Sequence, residues 1–467
     1  MFSMCAMSFV HYRKILESVS SEDYSAAVKK VEDAFKSEYG EKNSLLYFLD
    51  LGVLYHLMGD FGNSNGYFEK AEAKCDELYT KSVSKEAASL LTSDNAKPYE
   101  GEKFERVLIN LFMALNYVLL DRIDDALVEA RKVNHKLGVY NQQYKKNVSY
   151  RDDAFIRYIM GMLYESGGEL NDAFISYRKA LYDYRYYRAV YGTGIPADLV
   201  HDCIKTAKTL GFGEEIEEIK KDFPDLAKNV SSGADEKDYG EVVFIHLNGL
   251  APSKAENRVQ ILLSNGLFYV RSAEIGTDEQ SDVNKAMDLA GSLSGDANIS
   301  VAFPEFRKKQ YSIYGSSIFE NEQSVRADSY IAEDVEEIAI KDLNDRMGLI
   351  MSKTIARAVV KYVLADSGGR ALEKTAKKKL GEGGEVAGWL AKKALTSTAS
   401  LTEMADRRSW QLLPAQFRIA RLKLPPGDHN VTLRFYDSHG SIVLEKTINS
   451  VRVTRAKKTF LRFATIK

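Results

Sequence analysis

The chain of 467 residues has few cysteines, few prolines and no long apolar run. Its three cysteines, Cys5, Cys75 and Cys203, lie far apart and form no Cys-x-x-Cys pair, so neither a disulfide framework nor a cysteine-based zinc site is indicated. No apolar run reaches the roughly 18 residues that a membrane-spanning helix needs. The formal net charge of −2 lacks the basic excess that is typical of nucleic-acid binders. Together these features predict an ordinary globular protein that has no nucleic-acid partner.

Sequence motifs of catalysis and metal binding are also missing. There is no Gly-rich phosphate loop and no His-Glu-x-x-His, and the seven histidines are scattered singly. Asp437, Ser438 and His439 have the residue types of a hydrolase triad, but neighbours in one turn cannot take the geometry that a triad needs. His246 lies in an apolar run and is predicted to be a core histidine. We therefore expect no enzyme activity, no cofactor and no metal, although a site assembled from distant residues would leave no such motif.

What the sequence does contain is a helical repeat. Small and aromatic residues recur at the intervals of a tetratricopeptide repeat (TPR), a two-helix hairpin of about 34 residues, which this spacing resembles. These positions are Gly52, Tyr55, Gly59, Ser64, Phe68 and Ala71 in the first copy, Ala114, Tyr117, Ala126 and Ala130 in the second, and Gly161, Tyr164, Gly168, Ala173, Tyr177 and Ala180 in the third. Small residues let paired helices approach, and aromatic residues fill the seam between them. One hairpin cannot bury its own apolar face, so three copies predict a solenoid.

The composition changes near residue 228 and predicts two domains. The boundaries are a TPR-like helical repeat domain over 1–227, a Gly/Ser/Asp-rich linker over 228–240 and an α+β domain over 241–467. The second domain is predicted to contain strands within 241–320, a long helix over 333–364, a Gly/Lys-rich amphipathic segment over 366–398 and a β-rich end over 415–467. Alternation in this end favours a mainly antiparallel sheet or small sandwich, with one face covered by the long helix. The predicted fold class is a TPR-like helical solenoid followed by an α+β domain with one long helix.

The first helix of each hairpin is expected to line the concave face of the array, which is where such arrays bind partners. The predicted partner-binding residues are Leu49, Val53, His56, Leu111, Leu115, Val118, Tyr158, Met162 and Glu165. These side chains are mainly apolar, unlike the lysines and asparagines of carboxylate-clamp TPR modules. The groove is therefore predicted to take an amphipathic helix, an apolar peptide or a helix from this chain's own second domain.

Two further segments have the composition of contact surfaces. Tyr184, Arg185, Tyr187 and Arg188 form an aromatic and basic cluster, which indicates either a surface for an extended peptide or glycan, or amphipathic packing under a loop. Residues 366–398 are basic and amphipathic with one tryptophan. They would contact a membrane surface or a partner helix, or else form a loop between domain elements.

One segment near the C-terminus resembles a known signature. The sequence ADRRSWQLLP over 405–414, followed by FRIARLKLPPGDH, resembles an uncharacterised family of bacterial TPR lipoproteins. In that family an Ala-Asp-x-Arg-Ser-Trp-x-x-Leu-Pro segment precedes a β domain, and this chain matches it at Asp406, Arg408, Ser409, Trp410, Leu413 and Pro414. The Ile-Ala-Arg-Ala sequence over 355–358 is similar to the family's long helix. From the residues themselves, Trp410 is predicted to be an anchor and the segment either a structural corner or a binding site.

The resemblance implies an envelope protein that faces the periplasm and has no known enzymatic activity. Cys5 falls where the family's lipidated cysteine would be, although Met4 stands where the signal peptidase normally accepts Gly, Ala or Ser. On the residues alone, Cys5 is either the lipid attachment site or an inert cysteine near the N-terminus. Family members look like companions of small outer-membrane lipoproteins that activate cell-wall synthases, which implies a non-catalytic scaffold in envelope assembly. The alternative is a cytoplasmic TPR adaptor whose C-terminal domain senses a ligand.

Overall fold

A computed structural model describes residues 9–83, 95, 97–143, 150, 152–228, 238–263, 297–320, 325–380 and 404–466. Cys5 lies outside these residues. So do residues 381–398 of the amphipathic segment and residues 264–296 of the range 241–320 in which strands are predicted.

Helices make up the described part of the chain up to residue 228. They are α1 (Phe9–Ser20), α2 (Tyr24–Asp33), α3 (Ser44–Met58), α4 (Phe61–Val83), α5 (Lys103–Leu119), α6 (Ile123–Gln143), α7 (Ala154–Ser166), α8 (Leu170–Val190), α9 (Ala197–Leu210), α10 (Gly213–Asp222) and α11 (Pro224–Ala227). A π-helical turn, Phe35–Tyr39, and a 3-10 turn, Glu41–Asn43, join α2 to α3. Successive helices pack as hairpins, α3 with α4, α5 with α6 and α7 with α8, and each hairpin contacts the next. This is the stacked array that the repeat spacing predicts.

Glycines let the two helices of the first and third hairpins touch. A Cβ on Gly52 would lie 2.6 Å from the Phe68 ring, and one on Gly161 would lie 2.3 Å from the Tyr177 ring. The Ser64 hydroxyl donates to the carbonyl oxygen of Gly52 at 2.7 Å, which holds α4 against α3. The small positions of the repeat are therefore points of close helix approach.

Strands and one long helix make up the rest. They are β1 (Gly240–Asn248), β2 (Ser253–Leu263), β3 (Ala297–Arg307), β4 (Gly315–Glu320), β5 (Val325–Asp328), β6 (Tyr330–Asp334), α12 (Val335–Leu380), β7 (Gln416–Leu424), β8 (Gly427–Tyr436), β9 (Ile442–Val453) and β10 (Lys458–Thr465). The first sheet has the order β10-β1-β7-β6, the second has the order β5-β4-β8-β9, and β2 pairs with β3 alone. All these pairs are antiparallel except β1 with β10. The chain is thus a TPR-like solenoid followed by a mainly antiparallel α+β domain.

The two four-stranded sheets pack face to face as a sandwich. Their shared core contains Val242, Phe244, Ile318, Ala420, Leu422, Leu424, Val431, Leu433 and Phe435. The alternate residues of β1, Val243, Ile245 and Leu247, belong instead to the apolar core of the helical array. All nine residues of β1 are therefore buried, because the first sheet has the second sheet on one face and the array on the other.

The long helix differs from its prediction in length and place. It begins at Val335 and ends at Leu380, beyond the predicted 333–364, and so takes in the first part of the segment predicted to be separate. Ile355 and Val359 of α12 pack on the paired strands β2 and β3 through residues such as Val301. The array packs on the outer face of the first sheet, and only the first turns of α12, with Val335, Ile338 and Ala339, join the core that the two form. Strand β9 belongs to the β-rich end predicted over 415–467, and its pairing with β8 shifts register between His429 and Val431 and again between Phe435 and Tyr436.

Replacing Gly161 with alanine should destabilise the protein despite the higher helix propensity of alanine. The new methyl group would meet the buried Tyr177 ring at 2.3 Å, and overpacking of this kind costs about 1–3 kcal/mol. The matched control is Gly138→Ala in α6, where nothing lies within 4 Å of the new Cβ and a gain of up to about 1 kcal/mol is expected. Urea unfolding measures both, and equal stability of the Gly161→Ala variant and wild type would contradict the close approach.

Candidate functional site: the inner face of the helical array

The predicted concave-face residues are covered by the chain's own C-terminal domain. The buried ones are Leu49, Val53, His56, Leu111, Leu115, Tyr158 and Met162, and the half-buried ones are Val118 and Glu165. The core that contains them continues into the sheet and into the segment before β7. This corrects the expectation of a groove open to a separate partner. The apolar inner face is removed from water within the molecule by the first sheet and by the segment before β7, and the first turns of α12, with Val335, Ile338 and Ala339, belong to the same core.

Trp410 is the central apolar contact between the two halves. Its side chain is 1% exposed, and its ring centroid lies 5.9 Å from that of Phe68 in α4 and 5.8 Å from that of Phe112 in α5. The backbone N–H of Trp410 donates to Glu105 Oε1 at 2.8 Å. Phe417, at the start of β7, continues the contact, with its centroid 5.9 Å from Phe112. The signature tryptophan therefore anchors the β domain in the seam between two repeats.

Arg408 fixes the loop segment that carries Trp410. Its guanidinium donates two hydrogen bonds to the carboxylate of Asp406, from Nε to Oδ1 at 2.8 Å and from NH2 to Oδ2 at 2.7 Å. A third nitrogen, NH1, donates to the carbonyl oxygen of Lys97 at 2.8 Å and to Asn43 Oδ1 at 3.2 Å. The signature residues Ser409, Leu413 and Pro414 are buried. The segment is a structural corner, and it ties the sheet to the array.

A buried cluster of charges lies further along the same contact. Arg421 of β7 has a side chain that is 5% exposed, and its NH1 contacts Asp202 Oδ2 of α9 at 2.5 Å. The same guanidinium donates to both carboxylate oxygens of Glu241 in β1, at 2.8 Å from Nε and 2.6 Å from NH2. Lys458 of β10 lies 2.9 Å from Glu241 and 3.0 Å from Glu165 of α7. Helices α7 and α9 are thus linked to three strands by charge-assisted hydrogen bonds.

The cluster holds its carboxylates ionised. Burial favours the neutral form of Asp202, but the Arg421 guanidinium and the Lys458 ammonium outweigh it and hold the pKa of that carboxyl below its usual range. Glu241 behaves in the same way: burial alone would raise its pKa, and Arg421 and Lys458 lower it. Because each carboxylate depends on the basic groups, removing one partner would leave a buried charge uncompensated.

The aromatic and basic cluster at the end of α8 is divided between core and surface. Tyr184 and Tyr187 are fully buried, with the Tyr184 hydroxyl donating to the carbonyl oxygen of Ala332 at 2.8 Å. Arg185 and Arg188 are exposed. The Tyr187 hydroxyl donates to the carbonyl oxygen of Asp152 at 3.2 Å. Positions three apart on a helix share a face, so both tyrosines pack inside while the arginines stay at the surface, and this agrees with the alternative of amphipathic packing.

His246 is a core histidine. Its Nδ1 lies 3.0 Å from the Ser316 hydroxyl, and its Nε2 lies 2.7 Å from the Thr465 hydroxyl. Burial keeps the pKa of the imidazole well below its usual value. Within the described ranges, no three His, Cys, Asp or Glu residues are grouped so as to hold a metal ion, and no helix has the length and apolar character to cross a membrane.

No protein-family profile matches the chain, and no curated protein matches its sequence. Solved structures similar to it include MamA of AMB-1, 16% identical, with 48% of this chain and 93% of that chain covered and a TM-score of 0.28. PilW, a type IV pilus biogenesis factor, is 18% identical over 47% of this chain and 96% of its own, with a TM-score of 0.22. The Rap conjugation gene regulator of plasmid pLS20, in complex with the Phr* peptide, is 13% identical over 83% and 73%, with a TM-score of 0.27. These TM-scores are below 0.5, so the assignment of repeat hairpins rests on the packing described above.

Truncating Trp410 to alanine should destabilise the whole chain. The variant would leave a cavity between Phe68 and Phe112, and such losses cost about 3–5 kcal/mol. Trp410→Phe should cost much less, because the indole Nε1 has no hydrogen-bond partner among the described residues and phenylalanine still fills most of the space. Tyr314→Ala, at a ring that is 54% exposed, is the surface control. The free energy of unfolding in urea measures all three variants. Equal values for the three would contradict the role of Trp410 as an anchor between the two halves.

Removing the guanidinium of Arg421 should cost about 3–5 kcal/mol at pH 7, because Asp202 and Glu241 stay buried after losing the larger of their two counter-charges. In the wild type the lowered carboxyl pKa values add stability above the unfolded value of about 4, and this stability is lost as the pH falls below it. In Arg421→Met the same carboxyl groups bind protons more readily. The stability gap between the two proteins should therefore narrow from pH 7 to pH 4.

The control for this prediction is Arg452→Met, which breaks an ion pair with Asp428 whose side chains are 74% and 55% exposed. An exposed pair contributes at most about 1 kcal/mol. Thermal unfolding across pH measures both variants. A gap for Arg421→Met that stays constant between pH 7 and pH 4 would contradict the role given to the two carboxylates.

Proposed function

We propose that this protein is a non-catalytic protein-binding scaffold of the bacterial cell envelope, facing the periplasm and acting in envelope assembly. Repeat hairpins of the TPR type build surfaces that hold other proteins, and the array described here has that architecture. The observation that carries the proposal is the use of the array's inner face: it holds a β-sandwich of the same chain through Trp410 and Arg421. The result is one rigid platform with two kinds of outer surface, helical and sheet.

The envelope part of the proposal draws on the signature segment. The sequence over 405–414 resembles that of bacterial TPR lipoproteins, and in this fold it forms the corner that joins the two halves. A segment that joins the two domains would be needed by every protein with the same two-domain arrangement. It is therefore expected to mark a family that shares this arrangement. Cys5 would then carry the lipid, and partners would be proteins of the envelope.

The alternative is a cytoplasmic adaptor whose C-terminal domain senses a ligand. One observation favours it: Arg421 contacts β1, α7 and α9 at once, through Glu241, Tyr158 and Asp202. A ligand that displaced β7 would change the packing of the array as well. Location in the cell separates the two candidates.

Intact-mass measurement and fractionation of the native protein from its own cell should find an acyl-modified Cys5 in the outer-membrane fraction. Lipid chains attached to one cysteine would hold an otherwise water-soluble fold at the membrane. A Cys5→Ser version is the control and should leave that fraction. An unmodified protein in the cytosol would contradict the envelope proposal and support the adaptor.

The scaffold proposal needs its own measurement. Native complexes, separated by size with light scattering, should show the chain of 52.5 kDa in a larger particle with a partner in fixed ratio. The partner's stoichiometry should be unchanged by mild dilution. A protein that runs alone in extracts from both compartments would contradict a scaffold.

A further inference from the structure

Strand β9 is an edge strand with an unusually apolar exposed end. It closes the second sheet, whose order is β5-β4-β8-β9, and within the described ranges no strand pairs with its outer side. Ile442, Val443 and Leu444 are 54%, 51% and 36% exposed. Three consecutive exposed apolar residues place apolar surface on both faces of this edge. Such an edge offers a row of unpaired N–H and C=O groups together with an apolar surface, and this is the geometry that accepts an added strand.

The regular part of β9 shows which side chains an added strand would meet. From Leu444 to Ile448 the strand pairs without interruption against Phe435 to Val431 of β8. Leu444, Lys446 and Ile448 are therefore on the row that points toward the first sheet, opposite Phe435, Leu433 and Val431. On this face an added strand would therefore contact one basic residue, Lys446, between two apolar residues, Leu444 and Ile448.

The charges on this edge are not equivalent. The carboxylate of Glu445 is occupied, because Arg434 Nε donates to it across the pair at 2.5 Å. Lys446 is exposed, and no carboxylate of the described residues pairs with it. A lone lysine in an edge strand discourages indiscriminate pairing. It also selects for a strand that places a carboxylate opposite it, because opposite charges across a strand pair are favourable.

Strand β9 of a second copy cannot supply that carboxylate in a two-fold pairing. Two identical antiparallel strands related by a two-fold axis pair residues of the same row, since side chains alternate between the faces with a period of two. Lys446 and Glu445 point to opposite faces of the sheet, so Lys446 of one copy never lies opposite Glu445 of the other in such a pairing. If the two-fold axis passes through Lys446 or through Glu445, that residue lies opposite its own copy, and two like charges meet. The complementary strand is therefore one of a different sequence from β9.

We propose that the β9 edge binds an extended segment of a partner protein by strand addition, with the pattern apolar–x–acidic–x–apolar on the row that faces Leu444, Lys446 and Ile448. The inference rests on the proposed scaffold function and names its binding surface. The proposed binding surface lies on the β-sandwich. Binding there does not require access to the inner face of the array, which the chain itself covers.

Two synthetic peptides with blocked ends test the proposal. The acidic probe is Thr-Val-Thr-Glu-Thr-Val-Thr, and the basic probe has lysine in place of glutamate. Wild-type protein should bind the acidic probe roughly fivefold to tenfold more tightly, which is the scale of replacing a like-charge cross-strand pair by an opposite one. Hydrogen exchange followed by mass spectrometry should show slower exchange at residues 442–448 with the acidic probe. An acidic probe with methylated backbone nitrogens should neither bind nor protect.

The matched variants reverse or preserve this preference. Lys446→Glu should favour the basic probe, whereas Lys457→Glu, the same charge change at an exposed turn residue, should bind as wild type does. Both substitutions are at the surface, so circular dichroism and thermal midpoints should match wild type. Equal preference in wild type and Lys446→Glu would overturn the proposal, as would protection outside β9 or no binding at about 1 mM peptide.

Dimerisation of the wild type through β9, seen by sedimentation, would overturn the choice of partner in favour of a second copy. Failure of the peptides leaves the scaffold function to be judged on the native complexes alone. A fixed-ratio partner together with an unreactive β9 edge would show that the scaffold binds elsewhere.

Discussion

The structure depends on the contact between the inner face of the helical array and the outer face of the first sheet. Both surfaces are mainly apolar and would be unfavourable in water: the array presents large aromatic residues, and β1 is buried along its whole length. Joining them gives one continuous core that runs from α1 to β10. Because burial of apolar area supplies most of the stability of a folded chain, the two halves are expected to fold and unfold as one unit.

Polar groups inside this contact set its geometry more than its strength. Replacing a buried ion pair by apolar residues is often neutral or stabilising, so the cluster around Arg421 is weak evidence for stability and better evidence for a defined register. The arrangement also has a cost. Atoms such as Trp410 Nε1, His56 Nε2 and Asn65 Nδ2 are buried with no hydrogen-bond partner among the described residues, and each such atom costs about 1–3 kcal/mol.

Filling the inner face changes where a partner would bind. In an open solenoid the concave surface is the default site, whereas here Tyr158 and Glu165 are used to hold Arg421 and Lys458. Among the described residues, the surfaces that remain exposed to solvent include the outer faces of the array's helices and the β9 edge of the second sheet. In this arrangement the array holds the sandwich in a fixed orientation, and the sandwich provides the proposed binding surface at β9.

The sequence by itself determined the local architecture. The hairpins follow from the spacing of small and aromatic residues, because Gly52 and Gly161 are needed wherever two helices touch, and most strands follow from period-two alternation. What only the tertiary structure decided is which apolar faces meet. Arg421 stands in an apolar row of β7, and Asp202 stands on the buried face of α9, but periodicity within each element cannot pair two residues so far apart in the chain. The predicted groove residues were apolar because they face a domain of the same chain, and a sequence pattern shows that a face is buried without showing what buries it.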